Sequence, residues 1–170
     1  QYAGDSIVAL FGVPIPRLTE EEIARDAVNA VRCAIAVEQR LLELNRAWQE
    51  AGRPCTGMRI GIVTGEAVSG TLGSTDRWEY VVVGDTLNTA SRLESFDKDV
   101  YPPDPLVRPC RTLIGASTHA HVADLFDTEW VAEARLKGKQ QMVAIYRVVG
   151  ERKLEPIASS VEPLVGAGAP

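Results

Sequence analysis

The chain has 170 residues, 45% hydrophobic and 24% charged, with a formal net charge of -5 at pH 7. That length suits one core or at most two small ones, and the composition excludes a disordered polymer or a collagen-like repeat. Net acidity argues against a dedicated nucleic-acid surface, which would cluster Lys and Arg on phosphates, and the apolar runs fall far short of the roughly 20 residues that cross a bilayer. The three cysteines, Cys33, Cys55 and Cys110, form no CxxC. Neither a disulfide framework nor a zinc site is implied, and a reducing compartment is the simpler reading.

The opening Gln1-Tyr2-Ala3-Gly4-Asp5 has no initiator Met, basic stretch or apolar leader, so the chain reads as a fragment without a signal peptide. Residues 6–11 form an apolar run ended by Gly12 and Pro14, which predicts a buried strand. Thr19 and Glu22 spell a capping box. Beyond it Ile23, Ala27, Val31, Ala34, Leu41, Leu44 and Trp48 recur at helical intervals, and Gly52 and Pro54 end the pattern. A β-rich run over 58–65 turns at Gly65-Glu66 into residues 67–73, which predicts a hairpin; residues 74–77 then lead to a strand over 78–83. Gly84 breaks that strand, and Asp85 or Thr86 is expected to cap a helix reaching about Phe96, with Leu87, Ala90 and Leu93 inward.

Residues 97–109 carry Pro102, Pro103, Pro105 and Pro109 among acidic residues and predict a stiff loop outside the core. A strand over 112–114, a short helix over 117–123, a strand over 128–135, a turn at Lys137-Gly138-Lys139 and a strand over 142–149 follow. One domain is expected over residues 1–150, with 151–170 a linker or flexible tail. Several strands, two substantial helices and at least two hairpins predict an α+β, ferredoxin-like sandwich: a mostly antiparallel sheet with helices packed on one face. The 58–83 stretch breaks the strict alternation that a parallel Rossmann sheet needs.

Gly61, Gly65, Gly70 and Gly73 match neither GxxxxGK[ST] nor GxGxxG, and turns or close packing explain them better than a phosphate loop. His119 and His121 are two apart on a predicted helix, a poor spacing for shared ligation, and read as surface residues. Asp5, beside an apolar strand, could offer an oxygen to a hard cation, though a turn-forming Asp is the plainer reading. Asn88 and Arg92 are four apart and share a helix face. An amide and a guanidinium together suit sugar oxygens and a phosphoryl group, although spacing alone favours an ordinary polar face.

Taken together, three blocks change that weighting: residues 2–12, YAGDSIVALFG; residues 58–73 with Gly61, Gly65, Gly70 and Gly73; and residues 79–94, EYVVVGDTLNTASRLE. With Leu136-Lys137-Gly138-Lys139 and Ile145-Tyr146-Arg147-Val148, they resemble the class III nucleotide cyclase catalytic domain, the adenylate and guanylate cyclase family, over residues 1 to about 150. The resemblance implies that two protomers pair head to tail, with the nucleotide bound across the interface. Asp5 matches the second of two Asp residues that hold two Mg²⁺ or Mn²⁺ ions; the first is expected upstream of Gln1. Asn88 matches the residue that orients the ribose, Arg92 the one that stabilises the transition state, and Lys137 the one that holds the terminal phosphates.

The implied reaction is intramolecular: the ribose 3′-oxygen attacks the α-phosphorus and pyrophosphate leaves, giving a 3′,5′-cyclic monophosphate. Gln1 and Val81 fall at the family's two base-selecting positions. Gln accepts from and donates to either purine, Val81 offers an apolar wall, and the missing acidic residue favours ATP over GTP. Adenylate cyclase is thus the expected activity, with two alternatives: a guanylate cyclase, or, motivated by these departures, a degenerate cyclase-like module that binds nucleotide or a partner without turnover. An unrelated ferredoxin-like interaction domain would require an accidental match. The resemblance further implies a cytoplasmic domain whose parent protein is often anchored in a membrane or joined to a sensor, and little turnover from residues 1–170 alone.

Overall fold

The computed structural model describes residues 2–3, 6–74, 77–136 and 141–153. The elements run β1 (Tyr2–Ala3), β2 (Ser6–Ile7), α1 (Glu20–Glu50), β3 (Met58–Ile62), β4 (Val68–Ser74), β5 (Arg77–Val83), α2 (Asp85–Glu94), β6 (Cys110–Gly115), α3 (Ala116–Val122), β7 (Phe126–Ala134) and β8 (Val143–Glu151). Four strands make the main sheet in the order β3-β6-β8-β7. β3 and β6 are parallel, whereas β8 is antiparallel to both β6 and β7. β1 and β2 form one separate antiparallel pair, and β4 and β5 another.

The capping box forms as expected. Thr19 Oγ1 accepts from the Glu22 amide at 3.2 Å, and the Glu22 carboxylate accepts from the Leu18 and Thr19 amides at 3.0 and 3.3 Å. Those backbone donors hold the Glu22 carboxyl below its ordinary range. From that start α1 buries Ala27, Val28, Val31, Ala34, Leu41 and Asn45, residues at three-, four- and seven-residue spacings.

β6 is buried along its whole length, and its alternation sorts the core into two layers. Ile114 packs with Ala27, Val28 and Val31 of α1, Val122 of α3, Phe126 and Val148. Leu113 points the other way and packs with Leu93 of α2, Leu136 and Ile145. The mixed, mostly antiparallel α+β sheet is as expected. The helices, expected on one face, take both: α1 and α3 cover one, and α2 crosses the other. The reason lies at Gly61, where a Cβ would run into the Ala90 carbonyl and the Glu94 amide, so only glycine lets the α2 backbone settle on β3.

Three local expectations change. The run over 6–11 forms only the two-residue strand β2, with Ile7 66% and Phe11 41% exposed, because its ladder partner is the equally short β1 rather than the main sheet. Residues 58–65 and 67–73 do not form a hairpin with each other. β3 instead pairs with β6 some fifty positions later, at Met58↔Cys110, and β4 pairs with β5 from Val68↔Val83 to Ser74↔Arg77. The proline-rich loop is tied into the molecule: the buried Asn45 amide donates to the Thr56 and Pro105 carbonyls at 2.7 and 2.8 Å, its Oδ1 accepts from the Thr56 amide at 3.0 Å, and Pro109 is fully buried. Among the described residues, no helix is long and apolar enough to cross a membrane.

All three cysteines are free, Cys33 exposed and Cys110 buried. Burial, with a smaller contribution from Glu38, pushes the Cys110 thiol from 9.0 up to about 11. The native state therefore keeps a proton that the unfolded chain releases, so this contribution to stability is complete below pH 9.0 and fades toward about 11. Cys33 should react with a thiol reagent at pH 8 while Cys110 stays protected until denaturant is added. Asn45→Ala orphans three backbone groups and should lower unfolding free energy by about 1–3 kcal/mol, read from urea melts.

Candidate functional site

The site is built around α2, and the first question is what seats this helix. Its N-cap is Gly84, with no side-chain cap. Asp85 and Thr86, the expected caps, are used differently: the Thr86 hydroxyl donates to the Glu66 carbonyl at 2.6 Å, and Thr89 Oγ1 donates to the Asp85 carbonyl at 2.8 Å. A Cβ at Gly65 would strike Thr86 Oγ1, and one at Gly84 would press on Ala67 Cα and the Glu66 carbonyl. Glycine at both places lets the 64–67 connector close over the start of the helix. That connector is itself pinned, since the Thr64 amide donates to Thr118 Oγ1 at 2.8 Å and Thr118 Oγ1 donates to the Ile62 carbonyl at 3.3 Å.

With the helix seated this way, Thr89 and Leu93 are buried, Leu87 and Ala90 are half-buried, Asn88 is exposed and Arg92 is half-buried. Asn88 and Arg92 lie one turn apart, about 6 Å along the axis. Neither makes a hydrogen bond or an ion pair among the described residues. An amide and a cationic fork without partners among the described residues thus share one side of α2. Val81 is half-buried on β5, opposite Gly70 in the β4–β5 register, three residues before the helix N-cap.

Gln1, Asp5 and Lys137 lie outside the described residues. Their flanks are informative. β1 and β2 pair at Tyr2↔Ile7 and Ala3↔Ser6, bracketing Asp5 in sequence. Leu136, the residue before Lys137, is 5% exposed and packs in the same cluster as Leu93, the residue after Arg92. Among the described residues, no three His, Cys, Asp or Glu side chains gather where they could hold a metal ion.

His119 and His121 are half-buried rather than on the surface. The His119 ring stacks on Tyr146 at 3.7 Å between centroids, and its Nε2 lies 3.1 Å from Thr128 Oγ1. Both contacts are structural. A cleft of about 270 Å³ opens at the start of α2, lined by Thr64, Thr86, Thr89, Ser117 and Met142 among others; neither Asn88 nor Arg92 lines it. The residue pattern offered Thr86 only as a helix cap and singled out neither Thr89 nor Arg111. A lone arginine inside the run over 110–115 was the available signal for the last.

Protein-family models match the chain to the adenylate and guanylate cyclase catalytic domain over residues 1–148. Among curated relatives, adenylate cyclase 1 of Rhizobium meliloti is 36% identical over 150 residues, covering 88% of this chain and 20% of that protein. An adenylate cyclase of Anabaena cylindrica is 31% identical, covering 87% of this chain and 27% of its own length. This chain thus spans about a quarter or less of those relatives. Among solved structures, the adenylyl cyclase CyaB of P. aeruginosa has a TM-score of 0.69 at 29% identity, covering 84% of this chain and 66% of that one. The guanylate cyclase domain of RhGC from Catenaria anguillulae, in complex with GTP, has a TM-score of 0.62 at 25% identity, with the same two coverages.

The outward setting of Asn88 and Arg92 has a measurable consequence. Asn88→Ala should change unfolding free energy by no more than about 0.5 kcal/mol in urea melts, as surface substitutions do, and the half-buried Arg92→Ala by no more than about 1 kcal/mol.

Proposed function

We propose, on the premise that this chain belongs to the adenylate and guanylate cyclase catalytic domain family, that it converts ATP to 3′,5′-cyclic AMP and pyrophosphate in second-messenger signalling. The observation that carries the reading is the α2 face. Asn88 and Arg92 stand together, away from the apolar interior, with donors to spare.

In this reading Asn88 holds the ribose so that its 3′-oxygen lies in line with the α-phosphorus. The amide is suited to that task because it donates and accepts at once. Arg92 meets the charge that builds on the α-phosphoryl oxygens as pyrophosphate departs, from a position already set before reaction begins. Lys137 takes the terminal phosphates in the same reading. Gln1 and Val81 contact the base, and the lack of an acidic residue at these positions favours ATP, in keeping with the names of the adenylate cyclases that the chain is similar to. Asp5 is the proposed oxygen ligand for Mg²⁺ or Mn²⁺, which would supply Lewis-acid activation of the attacking hydroxyl and a clamp on the phosphates.

A head-to-tail homodimer, with each site completed across the interface, belongs to the same proposal. The β4–β5 ribbon supports it. Its register places Val68, Leu72, Val81 and Val83 on one face and Trp78, Tyr80 and Val82 on the other. Val68, Leu72 and Val83 on the first face are 71%, 69% and 58% exposed, an apolar surface of the sort that a protein partner covers, and Trp78 on the other face is 66% exposed. We place the domain in the cytoplasm, with membrane or sensor segments elsewhere in the protein.

The full-length protein should make cyclic AMP from Mn-ATP, assayed by chromatography. Arg92→Ala should lower the rate by about 10²–10³-fold, and Asn88→Ala and Asp5→Ala should also be strongly impaired. Undiminished turnover in those variants would refute the assignment; tight nucleotide binding without cyclic product would point to a regulatory module instead.

A further inference from the structure

The parallel register of β3 and β6 sets Arg59 beside Arg111. By alternation both side chains share the sheet face that carries Leu113, the face crossed by α2. They converge on one residue. Arg59 Nε donates to the Glu94 carboxylate at 2.8 Å, and Arg111 Nη2 donates to the Glu94 main-chain carbonyl at 2.7 Å. Arg111 Nη1 reaches on to the carbonyls of Asp97 and Val100, at 2.6 and 2.9 Å. One guanidinium thus ties the last turn of α2 and the loop that follows to the central strand.

This is an expensive way to hold a helix. Arg111 is 2% exposed and, among the described residues, has no carboxylate within ion-pair distance and no partner for its Nε. Burial, and then the charge of Arg59, push its proton affinity down; Glu94 and Asp97 push it back up. Carbonyl oxygens at the negative end of the helix dipole offset part of the desolvation. An apolar side chain would avoid that penalty, but it could not direct three carbonyls at once. What the arginine supplies is geometry.

We propose that Arg111, backed by Arg59, is a positioning residue for the α2 face: it sets the tilt and depth from which Asn88 and Arg92 reach the substrate. The inference rests on the cyclase reading above. α2 is only 10 residues long, and its start is held by Thr86 on the Glu66 carbonyl. A helix pinned at one end and released at the other pivots, and Arg92 lies near the released end. Displacing such a group by about 1 Å typically costs on the order of 10²-fold in rate.

The test uses the full-length protein with Arg111→Gln, alone and combined with Arg92→Ala, and Arg111→Lys. Arg111→Gln should lower kcat by about 10–100-fold while KM for Mn-ATP moves far less. In the Arg92→Ala background the same change should add much less, since the group nearest the released end of α2 is already gone and Asn88 lies toward the pinned end. Hydrogen exchange should quicken over residues 92–101 and stay unchanged in α1. Arg111→Lys, which keeps the charge but cannot span three carbonyls, should lose activity to an intermediate degree, and it serves if the Gln variant does not fold. Unchanged kcat in Arg111→Gln, or losses that multiply in the double variant without faster exchange at α2, would overturn the proposal. Full activity of Arg92→Ala would remove the cyclase reading on separate grounds; exchange at α2 alone then decides whether Arg111 seats the helix.

Discussion

The constraint from which the rest follows is the burial of β6. All six of its residues, Cys110 to Gly115, are buried, which requires that both faces of the strand be covered and both edges engaged. β3 takes one edge over five residue pairs and β8 takes the other over three. Ile114 then commits one face to α1 and α3, and Leu113 commits the other to α2. A single strand thereby sets where each helix must lie.

Within that frame α2 has unusually little freedom. Gly61 removes the side chain that would hold it off the sheet, and Gly65 and Gly84 let the preceding connector close over its start. Arg59 and Arg111 hold its end. A helix of this length would be marginal in isolation. Its stability comes from tertiary contacts, and those contacts also fix which way Asn88 and Arg92 face. Packing and function are therefore settled together, with the polar pair outward because Thr89 and Leu93 are inward.

Much of this was legible in the residues. Local signals sufficed for α1, because a capping box and an apolar stripe act within a few residues of one another and are met inside the helix itself. They sufficed for the Asn88–Arg92 pair as well, since i,i+4 geometry holds in any helix. They failed for the run over 6–11, whose apolar character is that of a buried strand although Ile7 stands 66% exposed. They failed again at Gly65-Glu66, where turn-forming residues suggested a hairpin. The competing interaction was non-local: β3 satisfies its backbone with β6, across a long separation that no turn propensity records.

The long capped helix, the α+β class, the family resemblance and the shared face of Asn88 and Arg92 are all readable from the residues alone, because each depends on spacing or on short motifs. Long-range packing, by contrast, is what sets β3 beside β6, sends α2 across the opposite face from α1, and turns Arg111 inward to the carbonyls of Glu94, Asp97 and Val100. Strand register sets the partners of a side chain, and register is established between segments far apart along the chain, where local propensity carries no information about which pairing buries the most apolar surface.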